Sequence, residues 1–548
     1  MRKTAFLSFL SRAKAALSRV PRIVLLPLGA ILMALCLLFP KIGALQWIVM
    51  VPMLFYLFGK NEKEHISLKK AYGLGFLYFY IFYLLIWHWF VELYPMEFAG
   101  VTKGEAIVLI AICWFGLSLL QTIFSALIFP VFVAFSRTRM LKKLPILLPL
   151  LFASVYTVSE WSQTLTWAGV PWARLALGQA ECGILFHSAS LFGSYFITFA
   201  IVAVNGLLAY AVLHLDRVRL AAALCAAVFL VNMGLGLIGY LTADTQNGEG
   251  IVVAAVQGNV GSSNKWSAGS NEKSFAVYEK YTAEAAAAGA SLVVFPETFV
   301  PYSLTETNPL GTYVRELAMT YQVTIRCGAF HYEDGQYLNG IFTVYPDGTI
   351  SPTVYAKQRL VPFGEYVPMR AVIEVLIPPL ADMNILADDL DPGTDSLIVQ
   401  TPAGSVGTLI CFDSIYENLT LDAVRDGAEL ICLSTNDSWF LDSAGVYMHH
   451  TQARLRAIES GRYIIRSADT GISSIIAPNG SVAAEQPPLV EGVSISTVHP
   501  TASRTLYSYI GNTFVYLLIA AELALAADAV ILFIKRKRSE KAAVPFAE

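Results

Sequence analysis

The sequence predicts a multi-pass α-helical membrane domain joined to an α/β domain that lies between its last two spans. The 548-residue chain is 55% hydrophobic and only 14% charged, and so little charge cannot cover a soluble surface of this size. Long apolar runs fill residues 1–241, whereas residues 242–510 mix polar and apolar residues in short stretches. We therefore expect a transmembrane domain at 1–241, a second domain at 242–505, and a last span with a basic tail at 506–548.

Apolar runs long enough to cross roughly 30 Å of hydrocarbon predict the membrane spans. Eight such runs occur in the sequence, near residues 23–39, 42–58, 71–91, 106–135, 144–160, 188–213, 219–241 and 511–534. The first two are separated only by Pro40 and Lys41, which favours a tight hairpin.

The distribution of Lys and Arg predicts the orientation of these spans, because cytoplasmic loops carry the excess of basic residues. With the N-terminus inside, the inner segments hold 21 Lys and Arg residues, and the short outer loops hold only Lys41, Lys103 and Arg174. An even number of spans returns the C-terminus to the inside. The segment 242–510 is therefore expected outside the cytoplasm.

Within this segment, short apolar stretches that end at Gly, Pro, Asn or Asp alternate with helical patterns. The predicted strands are 251–257, 291–296, 323–330, 338–345, 349–356, 405–411, 429–435 and 471–477. The predicted helices are 271–289, 309–321, 416–427 and 447–461. Pro-Asp-Gly at 346–348 and Pro-Asn-Gly at 478–480 predict two hairpin turns. The pattern indicates a layered α/β domain that is large enough to bury its own core.

Charge and cysteine usage exclude several classes of function. The formal net charge of −3 does not favour nucleic-acid binding. The seven cysteines form no CxxC pair and no metal-ligand spacing, and His449-His450 lack a third ligand at a suitable distance. We expect no metal and no cofactor.

Three residues that could carry chemistry follow predicted strands, where functional groups tend to emerge from α/β sheets. Glu297 would be a partly desolvated general base, Lys357 a cation for an oxyanion or a thiolate, and Cys411 a nucleophile. Cys411 precedes a predicted helix, so we expect an exposed sulfur with a lowered pKa. Taken singly, each has an ordinary alternative: a loop glutamate, a solvated lysine and a buried core cysteine.

Taken together, the surrounding motifs resemble the carbon–nitrogen hydrolase (nitrilase) superfamily. The motifs are Val-Phe-Pro-Glu (294–297), Lys-Gln-Arg-Leu-Val-Pro-Phe-Gly-Glu-Tyr-Val-Pro (357–368) and Ile-Cys-Phe-Asp (410–413). The separations of 60 and 54 residues between the three candidates fit that superfamily. The membrane spans and the outer stretch Gly169-Val170-Pro171-Trp172 narrow the resemblance to its membrane-embedded branch, the apolipoprotein N-acyltransferase family.

This resemblance implies a nitrilase-like four-layer α-β-β-α sandwich and a two-step acyl transfer without a cofactor. Cys411 would take an acyl chain from a membrane phospholipid as a thioester and pass it to the α-amino group of a diacylglyceryl-modified apolipoprotein. Glu297 would be the base, and Lys357 would bind the oxyanion together with the backbone N–H of Phe412. The supporting residues would be Glu365, Phe412, Asp413 and Asn436, and the residues that contact substrate would be Trp266 and Trp172.

One departure from the family pattern concerns the residues after the nucleophile. The family usually has Cys-Tyr-Glu, whereas this chain has Cys411-Phe412-Asp413. The loss of a hydroxyl and of one methylene leaves the donor or acceptor preference open.

Two other classes of function remain as alternatives. A membrane-tethered amidase or other nitrilase-type hydrolase would use the same thioester, with water in place of the amine. A transporter or receptor with an outer ligand-binding domain would more often show repeated halves and spans broken by Gly and Pro, and no repeat is evident. The sequence determines neither the acyl-chain and headgroup preference nor the oligomeric state.

Overall fold

The computed structural model describes residues 2–96, 100–261, 265, 270–376 and 389–542. The chain divides into two compact units. The first unit comprises residues 1–88, 114–238 and 512–548, and the second comprises residues 89–113 and 239–511.

The first unit is helical. Its helices include α1 (Arg2–Arg19), α2 (Arg22–Leu38), α3 (Val51–Glu64), α4 (Leu68–Ile86), α5 (Lys103–Ser125), α6 (Ile128–Phe135), α7 (Arg139–Lys143), α8 (Leu148–Ser162), α9 (Ala189–Phe192), α10 (Ser194–Leu213) and α11 (Val218–Leu241). α5 begins and α11 ends in the second unit. α10 is the most buried of the long apolar helices. Its Asn205 amide donates to the Gln46 carbonyl (2.7 Å) and accepts from the Met50 amide (2.9 Å), which satisfies polar groups inside an apolar unit.

Six helical segments among the described residues are long and apolar enough to cross a membrane. They are Pro40–Glu62, Leu68–Leu93, Lys103–Phe135, Ser194–Leu213, Leu215–Leu241 and Thr513–Leu532. A seventh candidate span results if the helical segments Ser8–Arg19 and Val24–Leu38, which are bent by 110° at the break between them, are counted as one. The predicted run 144–160 corresponds to α8, whose 15 residues extend only about 22 Å. The predicted total of eight spans is therefore not confirmed.

The second unit contains twelve strands in two six-stranded sheets, counted over its described residues. The strands are β1 (Ile251–Gln257), β2 (Leu292–Val294), β3 (Thr324–Glu333), β4 (Gln336–Val344), β5 (Tyr355–Ala356), β6 (Val399–Thr401), β7 (Gly404–Ile410), β8 (Leu430–Thr435), β9 (Tyr463–Ala468), β10 (Ser473–Ile476), β11 (Val482–Gln486) and β12 (Gly492–Val498). The strand orders are β12-β1-β2-β3-β4-β5 and β11-β10-β9-β8-β7-β6. β1, β2 and β3 run parallel in one sheet, and β7, β8 and β9 run parallel in the other.

Six α-helices lie wholly within the described part of this unit. They are α12 (Ser270–Ala287), α13 (Pro309–Tyr321), α14 (Arg370–Leu376), α15 (Glu417–Arg425), α16 (Ala444–Ser460) and α17 (Leu506–Ile510), after which α18 (Thr513–Ala542) returns to the first unit. α12 and α13 cover the first sheet, and α15 and α16 cover the second.

The core between the sheets is apolar: Val253 and Val294 of one sheet share a buried cluster with Val406 and Ile465 of the other. The predicted four-layer α-β-β-α sandwich is confirmed.

Most predicted elements of this domain are present, with one correction. The predicted strand 349–356 is reduced to a bridge between Ile350 and Val344 and the two-residue β5. Strands β6, β9, β11 and β12 and the short helices α14 and α17 were not predicted.

Candidate active site

Glu297 lies three residues beyond β2, at the edge where the parallel strands of the first sheet end. Its side chain is 5% exposed. Oε1 accepts from Lys357 Nζ (2.9 Å) and Asn339 Nδ2 (2.8 Å), and Oε2 accepts from the backbone N–H of Asn436 (2.9 Å). These three donors fix the carboxylate in one orientation.

The backbone around Glu297 packs directly on β3. The Gly328 N–H donates to the Pro296 carbonyl (3.2 Å), and the Phe299 N–H donates to the Gly328 carbonyl (3.2 Å). A Cβ at Gly328 would come within 2.7 Å of Glu297 Cα and within 2.4 Å of the Thr298 amide nitrogen. A side chain at this position would therefore displace the Glu297 backbone.

Lys357 follows β5 and is 1% exposed. Its Nζ lies 2.9 Å from Glu297 Oε1 and 2.8 Å from Glu365 Oε1. Burial by itself lowers the pKa of Lys357, but the carboxylates of Glu297 and Glu365 outweigh burial and hold this pKa well above its usual value. Lys357 is therefore a buried, permanently charged ammonium group.

Glu365 orients that ammonium group. Its Oε2 accepts from the Val361 backbone N–H (2.8 Å), which leaves Oε1 directed at Lys357. Glu365, predicted as a supporting residue, therefore contacts Lys357 directly.

Cys411 directly follows β7 at a backbone turn with φ of 47°, and it begins the 3₁₀ helix Cys411–Ile415. Burial raises the pKa of the Cys411 thiol well above its ordinary value; Glu297 raises it further, and Lys357 lowers it. Both charged partners thus act on the sulfur. The expected exposed, low-pKa thiol is wrong: the side chain is 9% exposed, and its desolvation outweighs the nearby cation.

Asp413 connects the turn that carries Cys411 to the segment after Lys357. Its Oδ2 accepts from the Ile410 N–H (3.1 Å) and the Tyr355 hydroxyl (2.9 Å), and its Oδ1 accepts from the N–H groups of Gln358 (3.2 Å) and Arg359 (2.8 Å). Burial raises the pKa of Asp413 to about 6. The Asp413 side chain, which is one methylene shorter than the usual glutamate of the family, therefore connects two parts of the site.

The other supporting positions are also near the site. Asn436 contributes its backbone N–H to Glu297. Phe412 is half-buried, and its ring lies 5.5 Å from that of Tyr416.

That Trp172 and Trp266 contact substrate stays a prediction. Trp172 belongs to the helical unit, where it is 3% exposed and its ring lies 5.9 Å from that of Trp87. Trp266 lies outside the described residues.

Two parts of the site were missed by sequence reasoning. The first is Asn339 of β4, whose amide donates to both Glu297 Oε1 (2.8 Å) and Glu365 Oε1 (3.3 Å). The sequence feature that could have identified Asn339 is a polar side chain inside an apolar strand.

The second is a buried network behind the nucleophile. His449 Nε2 lies 3.2 Å from the Cys411 carbonyl oxygen, and its Nδ1 lies 2.8 Å from Asp437 Oδ1. Asp437 also pairs with Arg466 (2.6 Å). Burial favours a higher pKa for Asp437, but Arg466 and His449 outweigh burial and hold it well below its usual value. The motif around Asp437 and the histidine pair were visible in the sequence, but their contact was not.

The geometry supports acid–base and nucleophilic chemistry. Among the residues that the structure describes, no three His, Cys, Asp or Glu side chains are grouped so as to hold a metal ion. The Glu297 carboxylate and the Lys357 ammonium group are in contact at the ends of strands of the first sheet, and the charges of both act on the Cys411 thiol at the end of a strand of the second.

Two families of known proteins match parts of this chain. The carbon–nitrogen hydrolase family matches residues 252–506, and the apolipoprotein N-acyltransferase N-terminal domain matches residues 29–207. Among solved structures, Nit3 of Saccharomyces cerevisiae, a nitrilase-superfamily member, is 20% identical with a TM-score of 0.36, and the likeness covers 48% of this chain and 93% of that one.

The curated relatives extend the similarity over most of the chain. The apolipoprotein N-acyltransferase of Gloeobacter violaceus is 30% identical over 488 residues, covering 88% of this chain and 89% of that protein. The enzyme of the same name from Geobacter metallireducens is 29% identical, covering 91% and 94%. The chain belongs to the apolipoprotein N-acyltransferase family.

Proposed function

We propose that this enzyme transfers an acyl chain from a membrane phospholipid to the α-amino group of the N-terminal diacylglyceryl-cysteine of apolipoproteins, with Cys411 as the covalent carrier. The observation that carries the proposal is the buried contact of Lys357 with both Glu297 and Glu365, beside a thiol on which the charges of Lys357 and Glu297 act. The curated relatives named apolipoprotein N-acyltransferase support this choice of acceptor.

In the first step, the Cys411 sulfur attacks the ester carbonyl of the phospholipid. Because its pKa is raised, the thiol is protonated at neutral pH and needs a base at the moment of attack. Glu297 takes that proton, and Lys357 with the Phe412 N–H stabilises the oxyanion. The C–O bond then breaks, the proton passes from Glu297 to the departing oxygen, and a lysophospholipid leaves the thioester behind.

In the second step, the α-amino group of the acceptor attacks the thioester carbonyl. Glu297 takes a proton from the nitrogen, the C–S bond breaks, and the proton returns to the sulfur. The products are an amide and the free thiol, so no oxidant, metal or cofactor is consumed. The low exposure of the three groups supports transfer to an amine, because it limits access of water to the thioester.

Both substrates are lipids or lipid-anchored, which supports a site attached to membrane spans. We propose eight spans, with the catalytic domain on the extracytoplasmic side of the bacterial inner membrane. We also propose that Trp172 and Trp266 contact substrate.

The test uses the purified full chain in nanodiscs with labelled phospholipid and a diacylated lipopeptide. The wild type is expected to carry an acyl adduct on Cys411, seen by intact mass spectrometry, and to release it onto the lipopeptide. Cys411→Ala should remain folded without adduct or product. Release of labelled free fatty acid without lipopeptide acylation would instead indicate a hydrolase, and ordinary turnover by Cys411→Ala would refute the thioester.

A further inference from the structure

The backbone of Arg359 is fixed to the turn that carries the nucleophile. Arg359 lies two residues beyond Lys357, and its N–H donates to Asp413 Oδ1 (2.8 Å), two residues beyond Cys411. Asp413 also accepts from Ile410, directly before the nucleophile. The guanidinium group therefore extends from a backbone position that is fixed to the turn carrying the reacting cysteine.

The side chain of Arg359 is held by an aromatic contact. Its guanidinium carbon lies 4.9 Å from the centre of the Tyr416 ring, and Tyr416 is buried. The Tyr416 ring also contacts Phe412, the residue after Cys411. Stacking on a buried ring orients a guanidinium group without using its N–H donors. Arg359 itself is half-buried, so part of it remains accessible.

The charge of Arg359 is not neutralised by the described part of the chain. Within those residues, no carboxylate forms an ion pair with its guanidinium group, whereas Arg370, Arg456 and Arg466 all have acidic partners. The nearby Tyr366 responds to this charge: burial raises the pKa of its hydroxyl, and Arg359 opposes the rise.

The carboxylates of the site are already engaged. Glu297 and Glu365 pair with Lys357, and Asp413 binds backbone N–H groups and a tyrosine hydroxyl. Three carboxylates against one ammonium group would repel an anionic substrate. A phosphodiester therefore requires an additional cation close to the nucleophile, and an oriented guanidinium group matches two phosphate oxygens at once.

We propose that Arg359 binds the phosphate group of the glycerophospholipid acyl donor and thereby selects a phospholipid over a phosphate-free acylglycerol. The inference rests on the proposed function. It assigns Arg359 to the first step alone, since the diacylglyceryl-cysteine acceptor has no phosphate at the corresponding position.

The test compares two donors with the same acyl chains, phosphatidylethanolamine and diacylglycerol, and measures single-turnover formation of the Cys411 adduct by the full chain in nanodiscs. Arg359→Gln should slow acylation by phosphatidylethanolamine about 10- to 100-fold, as for the loss of one charge-assisted contact, and leave acylation by diacylglycerol unchanged. Arg359→Lys should retain part of the rate, because it keeps the charge but loses the planar fork. Aminolysis of a preformed thioester by lipopeptide should be unchanged in both variants.

A matched control is Arg504→Gln, which removes another guanidinium group from a tyrosine ring (Tyr509, 5.8 Å) of the same unit. It should leave both donors unaffected. Equal slowing of both donors by Arg359→Gln, slowing of aminolysis alone, or no slowing would each overturn the role of Arg359. A wild type that forms no adduct with phosphatidylethanolamine would instead refute the proposed function itself.

Discussion

Lys357 lies between the carboxylates of Glu297 and Glu365, and both contacts are withdrawn from solvent. Replacing Lys357 with Met leaves two buried carboxylates facing each other without a cation, and it removes the proposed oxyanion partner. We expect adduct formation to fall at least about 100-fold. The free energy of unfolding should fall by about 3–5 kcal/mol. Intact mass spectrometry and denaturant unfolding in detergent measure the two effects.

The matched control is Lys280→Met, because the Lys280–Glu491 pair is exposed on both sides. It should change neither adduct formation nor unfolding measurably. If Lys357→Met retained ordinary acylation, the assigned role of the ammonium group would be wrong.

Asp413 gives a pH-dependent prediction at the same scale. Its folded-state pKa of about 6 lies above the value of about 3.9 for an unfolded aspartate. The stability associated with its protonation is therefore fully present below about pH 4 and is lost as pH rises through about 6. Asp413→Asn cannot ionise. Relative to this variant, the wild type should lose about 2–3 kcal/mol of unfolding free energy between about pH 4 and pH 7.

Denaturant unfolding in detergent at both pH values measures this difference. Asp422→Asn serves as the control, because the Asp422 side chain is 46% exposed and pairs with Arg425. Parallel pH profiles for the wild type and Asp413→Asn would contradict the assignment of Asp413 as a buried, protonatable connection.

At the scale of secondary-structure elements, β3 supports the Glu297 segment by close backbone packing. Gly328→Ala would place a methyl group against the backbone of residues 296–298, which cannot move aside as a flexible side chain could. We expect adduct formation to fall at least about tenfold, since a displacement of about 1 Å at a catalytic group is costly. The control is Gly104→Ala in α5, where nothing lies within 4 Å of the added carbon. Equal activity of the two variants would show that β3 does not position Glu297.

α18 is joined to the helical unit by polar contacts at two acidic residues for which the sequence suggested no role. Glu522 accepts a hydrogen bond from Ser154 of α8 (2.6 Å), and Asp528 accepts one from the backbone N–H of Arg139 (2.9 Å). Little of this helix is buried otherwise. These contacts act together with the ring contacts of Phe514 with Phe196 and Phe199 near the start of the helix.

A double-mutant cycle of Ser154→Ala and Glu522→Leu measures the first contact, because neither replacement can form the hydrogen bond. The expected coupling free energy is about 0.6 kcal/mol, the usual value for a hydrogen bond between membrane helices. Thermal unfolding in detergent of the wild type, the two single variants and the double variant gives the four corners of the cycle. Strict additivity of the two substitutions would mean that the bond contributes nothing.

At the scale of the whole molecule, the proposed orientation follows from the Lys and Arg distribution. Glu491 lies in the domain proposed outside the cytoplasm, and Arg139 lies at the start of α7, in a segment proposed inside. Each is replaced by Cys in turn. Both native side chains are substantially exposed. A membrane-impermeant maleimide should label Glu491→Cys in intact spheroplasts and Arg139→Cys only after lysis, each compared with the parent chain. The reverse labelling pattern would show that the spans have the opposite orientation.

Much of the architecture could be predicted because local sequence patterns determine it. The apolar runs, the parallel strands β1 to β3, β7 and β8, and the helices that cover them all have clear periodicity. β12 escaped prediction because its Ser-rich pattern is weak, and its pairing with β1 joins residues about 240 positions apart in the chain (Ile251 with Val498). β9 was missed although its residues are buried, since Arg466 and Ser467 interrupt the apolar run that usually marks a core strand.

By itself, the sequence determined the membrane-associated α/β class of the protein and the identity of the Glu297, Lys357 and Cys411 candidates, because residue order and motif spacing carry that information. Only the tertiary structure decided their electrostatic state. The burial of Cys411 and the contacts of Asn339 and His449 depend on side chains that are far apart in the sequence. Desolvation and Coulomb interactions are set by distance in space, which the spacing of residues along the chain does not specify.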